Sequence, residues 1–217
     1  MRDLLSTWLR DSRATRWGLA GLAAAIGLGA IAFGAYSWYG AQESRGRLAL
    51  AAAADLAQQA ASPGATPDAR DKAIRALDGV LADHPRFSGA SEAAYRLANL
   101  RYDGAQYGPA RGAYEIAIGK GATGTLRSLA ALGIAYSWEA EKDHGKAQTA
   151  FQAALAGLSP KDFLYEEGLL GLARVQEFGG NAAAARETYA RLLKERPDTR
   201  RADDIRSRLA SLQSLPK

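Results

Sequence analysis

One spacing of alanine residues recurs four times along the chain and restricts the folds open to it. Each alanine is followed four residues later by a large apolar or aromatic residue, and three residues after that by a small or apolar one. The four sets are Ala73-Leu77-Val80, Ala110-Tyr114-Ala117, Ala147-Phe151-Ala154 and Ala185-Tyr189-Leu192. Residues at i, i+4 and i+7 share one face of a helix, and the leading alanines lie 37, 37 and 38 residues apart. The pattern therefore predicts a solenoid of stacked helix pairs.

Each of these helices is expected to be the second of a pair, preceded by a first helix that carries a leucine beside a small residue. The leucines with their small neighbours are Leu97-Ala98, Leu132-Gly133 (followed three residues later by Tyr136) and Leu172-Ala173. Proline stops a helix because it lacks an N–H group and its ring clashes with the preceding turn, whereas glycine favours turns. We therefore expect units to end at Pro85, Pro160 and Pro197, and turns within the pairs at Gly104, Gly145, Gly179 and Gly180.

This pattern resembles the tetratricopeptide repeat, a helix-pair repeat of protein-binding proteins. Two units carry most of the resemblance, through Leu97, Ala98, Tyr107, Ala110, Tyr114 and Ala117, and through Leu172, Ala173, Ala185, Tyr189 and Pro197. The sequence departs from the family in its period, which exceeds the usual length of about 34 residues, in an insertion at residues 62–67, and in Arg101, where an aromatic residue is usual. The resemblance implies an all-α fold with about three to four helix pairs.

A charge-free apolar stretch runs from Trp17 to Tyr39, ahead of the repeats. Its length matches the roughly 20 residues with which a helix crosses a bilayer, and Trp17, Tyr36, Trp38 and Tyr39 place aromatic side chains at both ends. We predict an uncleaved transmembrane helix over residues 17–39. The alternative is a signal peptide cleaved near Ala35-Tyr36-Ser37, although the apolar run exceeds the usual signal length of about 7–15 residues.

Charge on either side of the span predicts its orientation. The arginines before it are Arg2, Arg10, Arg13 and Arg16, and those close behind it are Arg45 and Arg47. By the positive-inside rule the N-terminus lies in the cytoplasm and everything after residue 40 lies outside. The expected segments are a cytoplasmic tail (1–16), the transmembrane helix (17–39), a linking helix with the first-repeat insertion (40–67), the repeat domain (68–199) and a capping helix (200–217).

Small residues lie three or four apart within the span, at Ala23, Gly27, Ala30 and Gly34. Such a face lets a second transmembrane helix approach closely, so we interpret these residues as a helix-packing site. The alternative is a simple bias of composition, because alanine and glycine are common throughout the chain.

The order of segments is similar to that of the bacterial ancillary subunit of the Sec translocon. A short tail comes first, then one span, a helix rich in polar residues and alanine, and the helical repeats. The similarity rests on this architecture and on the region from Gly34 to Ala54, without a diagnostic motif. It implies a bacterial inner-membrane protein with a periplasmic repeat domain. Its implied partners are the translocon and a membrane-anchored periplasmic chaperone.

Catalytic and metal-binding patterns are absent from the sequence. The chain has no cysteine, which excludes disulfides, thiolate zinc sites and a catalytic thiol. His84 and His144 are expected to be solvated turn residues without ligands at helical spacing. Residues 119–125 lack the order of a phosphate loop, which is a glycine, four further residues and then Gly-Lys-Ser/Thr. We expect no catalytic residue, metal, cofactor or small-molecule substrate.

The net charge of +5 is spread along the chain. The densest basic stretch, from Lys194 to Arg208, is interleaved with acidic residues, whereas a nucleic-acid site needs a continuous basic patch. We therefore expect protein partners and no nucleic acid.

A protein-binding groove is expected on the face of the first helices that does not pack within the repeat. The residues predicted to line it are Tyr95, Asn99, Tyr102, Ile134, Trp138, Arg174, Glu177 and Phe178. Aromatic residues with a few polar groups are typical of interface centres. The alternative is that these side chains pack on the neighbouring repeat.

Two hypotheses of function remain after these exclusions. The first is a membrane-tethered, periplasmic scaffold or co-chaperone that acts near the Sec translocon. The second is a structural accessory subunit of another membrane complex, such as a respiratory, photosynthetic or secretion assembly, held through its transmembrane helix. A cell-envelope enzyme is disfavoured because no catalytic pattern is present.

Overall fold

The computed structural model describes residues 12–213, with side chains from Trp17 onward. Arg2, Arg10, residues 214–217 and the side chains of Arg13 and Arg16 lie outside this description. The described residues contain no β-strand. Their helices are α1 (Ser12–Ala60), α2 (Pro67–Asp83), α3 (Ala90–Asp103), α4 (Tyr107–Gly119), α5 (Gly124–Ala140), α6 (His144–Leu155), α7 (Phe163–Phe178), α8 (Ala182–Glu195) and α9 (Ala202–Gln213). The all-α prediction is confirmed.

Side-chain caps explain where several second helices begin. The Thr66 hydroxyl accepts a hydrogen bond from the Ala69 N–H, and Pro67 occupies the first turn of α2. Asp143 caps α6 and Asn181 caps α8 in the same way. A short polar side chain at this position satisfies an N–H group that has no partner within the helix.

In each of three helix pairs, the turn contains one residue whose backbone is in the left-handed conformation, and these three residues occupy equivalent repeat positions. These residues are Ala105 (φ 57°), Lys142 (φ 62°) and Gly180 (φ 80°). The expected turn glycines fit only in part, since Gly104 and Gly179 follow the ends of α3 and α7 while Gly145 lies inside α6. The sequence could not show that alanine and lysine hold this conformation, because it is normally favourable only for glycine.

The helices pair and stack as the repeat period predicts. The pairs are α3 with α4, α5 with α6 and α7 with α8, and each second helix also packs on the next first helix. In addition, α5 contacts both α3 and α7, so these three first helices lie side by side. The helix α9 packs on α8. Tetratricopeptide-like helical repeats are therefore present.

The leading alanines lie at the closest approaches between helices. Ala73, Ala110, Ala147 and Ala185 are completely buried. The rings of Tyr114 and Phe151 reach the next first helix, where a Cβ atom at Gly133 or Gly171 would overlap them. Small residues are therefore required on both sides of each junction, because the core is packed without room for another carbon.

The chain divides into two compact units between Arg45 and Gly46. In the first unit, α1 is long and apolar enough to cross a membrane, and its large side chains are exposed, including Trp17, Ile26 and Phe33. Length and composition of this kind are compatible with a single-pass anchor.

In the second unit, the end of α1 takes the place of a first helix for α2. Leu50, Ala53 and Ala57 are buried in the same core cluster as Leu77 of α2. The Phe87 ring lies so close to Gly46 that an added Cβ would meet it at 2.6 Å. This segment therefore contributes to the core of the repeats.

Candidate protein-binding surface

The neighbouring first helices α3, α5 and α7 present one row of half-buried side chains. Asn99, Tyr136 and Arg174 occupy equivalent repeat positions, as do Tyr102, Glu139 and Glu177. We define the first-helix surface by these residues together with Tyr95, Glu167 and Phe178.

Ion pairs and hydrogen bonds join the first helices across this surface. The Arg174 guanidinium donates to both carboxylate oxygens of Glu139, at 2.5 and 2.7 Å. The Tyr136 hydroxyl donates to Glu167 at 2.7 Å, and Arg201 contacts the other oxygen of Glu167 at 3.3 Å. These contacts connect α5 with α7, and α7 with the residue before α9.

A further pair extends the network to α9. Arg208 lies 3.2 Å from Glu177, whose second oxygen accepts a hydrogen bond of 3.3 Å from Tyr189. Each of the three carboxylates on this surface, Glu139, Glu167 and Glu177, therefore has a cationic partner that lies more than 30 residues further along the chain.

The surroundings of Tyr136 and Arg174 raise the pKa of both side chains. Burial, and then the hydrogen bond to Glu167, raise the pKa of the Tyr136 hydroxyl well above its usual value. The hydrogen bond to Glu139 raises the pKa of the Arg174 guanidinium. At neutral pH Tyr136 is a neutral donor and Arg174 is a cation.

The α3 end of the surface is aromatic rather than ionic. Asn99 accepts a hydrogen bond of 2.7 Å from the Tyr114 hydroxyl, and the Tyr95 ring centre lies 5.8 Å from that of Tyr114. Tyr102 contacts Tyr107 edge to face, with ring centres 5.3 Å apart. These half-buried rings offer apolar area together with hydroxyl groups.

At the α9 end, three of the predicted residues line one cleft. Arg174, Glu177 and Phe178 surround a space of about 170 Å³ with Ile205 and Arg208. The Phe178 ring is 61% exposed. A partner side chain would find both a ring and paired charges here.

Ile134 and Trp138 both contact second helices, although Ile134 packs against the same core cluster as Tyr95 and Tyr102. The Trp138 ring lies between Arg111, 3.4 Å from its centre, and Lys146, at 4.4 Å. Both cations belong to second helices, Arg111 to α4 of the preceding pair and Lys146 to α6, so Trp138 packs against second helices. Ile134 lines a hollow beside Ala150 of α6.

Sequence reasoning missed Tyr136 and Glu139, which occupy the surface instead. The leucine beside Gly133 was aligned with Leu97-Ala98, which shifts this helix by two residues. Counting 37 residues from Asn99 and Tyr102 gives Tyr136 and Glu139 directly. The spacing of the leading alanines therefore aligns the first helices more accurately than the leucine–small pairs do.

The histidines are not the solvated turn residues expected from the sequence. Each is half-buried, with His84 at the end of α2 and His144 as the first residue of α6. Their buried Nδ1 atoms have no hydrogen-bond partner among the described residues. Within residues 12–213, no group of three His, Asp or Glu side chains is placed to hold a metal ion.

The small-residue face of α1 is open in the structure. Ala23, Gly27, Ala30 and Gly34 are exposed, and nothing lies within 4 Å of a Cβ built at either glycine. A partner helix on this face stays a prediction.

Comparison with known families supports the repeat assignment. Residues 167–199 match the tetratricopeptide repeat family, and this range covers most of α7 and all of α8. No curated protein matches the chain. Repeats of this family are typical of non-enzymatic protein-interaction modules, so the chain carries a fold suited to binding other proteins.

Proposed function

We propose that this chain is a membrane-tethered scaffold or co-chaperone that binds proteins through its first-helix surface. The observation that carries the proposal is the continuous row formed by α3, α5 and α7, with half-buried tyrosines at one end and Phe178 at the other. Rigid aromatic rings supply contact area at low entropic cost, which is why interface centres are rich in them.

The membrane tether is the apolar part of α1. It is long enough to span a bilayer and leaves its large side chains exposed, as lipid contact requires. The arginines upstream favour a cytoplasmic N-terminus. The repeats then lie on the periplasmic side of a bacterial inner membrane. The architecture suggests the Sec translocon and a membrane-anchored chaperone as partners.

Site-specific photo-crosslinking tests the binding surface in cells that express the full chain. A photoreactive amino acid is placed at Tyr102 or Glu139, and at the exposed Ala183 of α8 as a matched control. We expect the first two positions to give discrete protein adducts that mass spectrometry identifies, with Ala183 giving none. Equal labelling at all three positions contradicts the assigned surface, and adducts without translocon or chaperone subunits contradict the Sec assignment.

Topology is tested separately by alkaline carbonate extraction and by protease treatment of spheroplasts. The proposal requires a full-length protein that stays in the membrane pellet and a repeat domain that the protease digests. A mature protein lacking residues 1–37, or a protected repeat domain, contradicts it.

The open face of the span favours a second candidate, a structural subunit held through its transmembrane helix. Gly27 and Gly34 leave room for another backbone, and such close approach drives helix association in lipid. Replacing both glycines by leucine then removes co-purifying membrane subunits in mild detergent, while Tyr102→Ala leaves them in place. The opposite result favours the scaffold.

A further inference from the structure

A hollow of about 450 Å³ lies between the first helix α7 and the second helices α6 and α8. Its walls include Leu155 and Ala156 at the end of α6, Leu172 and Gln176 of α7, and a part of α8. None of its lining residues belongs to the first-helix surface. The hollow is therefore separate from the surface described above.

The Gln176 side chain lines this hollow, and only one end of its amide group has a partner. The residue is 5% exposed, and its Oε1 atom accepts a hydrogen bond of 2.7 Å from the Thr188 hydroxyl. No described residue accepts a hydrogen bond from the Nε2 group. A carboxamide carries two N–H donors on this nitrogen. A fixed donor is thus available to a group that enters the hollow.

The preceding repeat shows that packing of the helix pair does not require this amide. Thirty-eight residues before Gln176 and Thr188, the chain carries Trp138 and Ala150. The helix pair formed by α5 and α6 is therefore built without a polar pair at these two positions. A few polar groups held in a hollow with apolar walls are typical of a binding site, where they orient the ligand.

The uncompensated charge at the hollow is negative. Glu187 lines it, is exposed, and has no ion-pair or hydrogen-bond partner in the described part of the chain. Arg191, one turn further along α8, also lines the hollow, but its guanidinium donates to both oxygens of Glu195 at 3.1 and 3.2 Å and to the Tyr165 hydroxyl. The charge of Arg191 is therefore neutralised within the chain, and Glu187 is left to attract a cation.

The rest of the wall suits the stem of a long basic side chain. Leu155, Ala156 and Leu172 are apolar, and lysine or arginine can lay its methylene groups on such a surface while its charged head stays in water. The Gln176 donor requires an oxygen acceptor. A neutral carbonyl oxygen fits better than a carboxylate, because Glu187 repels a second negative charge.

We infer that this hollow, the Gln176 hollow, binds a basic segment of a partner protein that presents a carboxamide side chain next to lysine or arginine. The carboxamide oxygen accepts a hydrogen bond from Gln176 Nε2, and the neighbouring cation pairs with Glu187. The inference adds a second binding surface to the repeats. It does not depend on the first-helix surface, because the two share no residue.

Fluorescence anisotropy tests the inference with the full chain in a nonionic detergent and the labelled peptide Lys-Lys-Gln-Lys-Lys as probe. We expect saturable binding. Replacing the central glutamine of the peptide by leucine removes the acceptor and weakens binding, and replacing its lysines by glutamate abolishes binding. Absence of saturable binding by the first peptide overturns the inference, as does equal binding of all three.

Two carboxylate variants test the charge. Glu187→Gln acts at an exposed position and is expected to weaken binding about threefold, as loss of a partly solvated ion pair does. The matched control is Glu115→Gln, which changes an exposed carboxylate of α4 that also has no partner in the described residues and leaves affinity unchanged. Equal weakening by both variants overturns the inference in favour of unspecific attraction to the acidic side chains.

Two further variants test the hydrogen bond and the space. Gln176→Met keeps the length of the side chain and removes the donor, so we expect binding to weaken about tenfold. Ala156→Phe fills the hollow from an exposed position and is expected to abolish binding. The melting temperature of each variant distinguishes loss of the site from loss of the fold. Undiminished binding by a folded Gln176→Met or Ala156→Phe variant overturns the inference.

Discussion

At the scale of single residues, the size of a side chain in this protein follows from how closely two backbones approach. The four leading alanines are buried because a second helix meets its first helix at each of them. Their spacing made them predictable from sequence. A small residue in a first helix can either pack within its own helix pair or make room for a ring from the preceding repeat, and the sequence does not distinguish the two. Gly133 makes room for the Tyr114 ring of the preceding repeat.

Ala147→Leu tests this packing. The residue is fully buried, so three added carbons overpack the junction at a cost of about 1–3 kcal/mol. We expect the melting temperature of the full chain in detergent to fall by several degrees. Ala183→Leu, at an exposed position of α8, is the control and changes little. If the two variants have the same melting temperature, the close helix contact assigned to Ala147 is wrong.

Trp138→Ala separates packing from binding. Trp138 lies between Arg111 and Lys146, so its truncation removes stacking and apolar contacts and lowers the melting temperature. Photo-crosslinking from Tyr102 is expected to continue. If partners are lost while the melt is unchanged, Trp138 belongs to the binding surface after all.

At the scale of elements, the turns and the cross-helix pairs determine how the first helices are held. Lys142 connects α5 to α6 in a left-handed conformation, which costs a non-glycine residue roughly 1–2 kcal/mol. Lys142→Gly relieves that strain and loses part of the gain through the greater entropy of the unfolded chain. We expect the free energy of unfolding of the Lys142→Gly variant, measured by urea denaturation, to be about 0.5–1 kcal/mol higher than that of the unmodified chain. Lys142→Ala is the control and is expected to be nearly neutral.

The Glu139–Arg174 pair joins α5 to α7 through two hydrogen bonds. A double-mutant cycle with Glu139→Gln and Arg174→Gln is expected to give a coupling free energy of about 0.5–3 kcal/mol. The exposed Asp68–Lys72 pair within α2 serves as comparison, since such pairs contribute about 0.3–0.5 kcal/mol. A coupling no larger than that of Asp68–Lys72 would show that this ion pair contributes little to holding the two first helices together.

Second helices were easier to predict than first helices for a physical reason. A second helix contacts its own first helix and the next one, so its buried face carries a strict i, i+4, i+7 pattern. A first helix keeps one face partly exposed, and there Tyr136 and Glu139 carry no apolar signal. The half-buried histidines were missed because their burial depends on neighbouring elements, including Gly179 beside His144.

At the scale of the whole molecule, the long apolar helix and the stack of helix pairs were both predictable, because each leaves a periodic or compositional pattern in the sequence. The locations of individual sites were less accessible. A hollow beside α5, α6 and α7 is lined by Ala153 and Gly157, whose small size can be related to it only when the repeats are superimposed.

The pairing of every carboxylate named on the first-helix surface has a thermodynamic consequence for its partners. Binding that neutralises unpaired charges releases condensed or loosely held ions, and its affinity then falls steeply with salt. Glu139, Glu167 and Glu177 already have cationic neighbours, so a partner that covers them releases few ions. We expect capture of partner proteins by the first-helix surface to change by less than about threefold between 50 mM and 500 mM sodium chloride. A steep salt dependence at the first-helix surface would mean that its partners recognise charge.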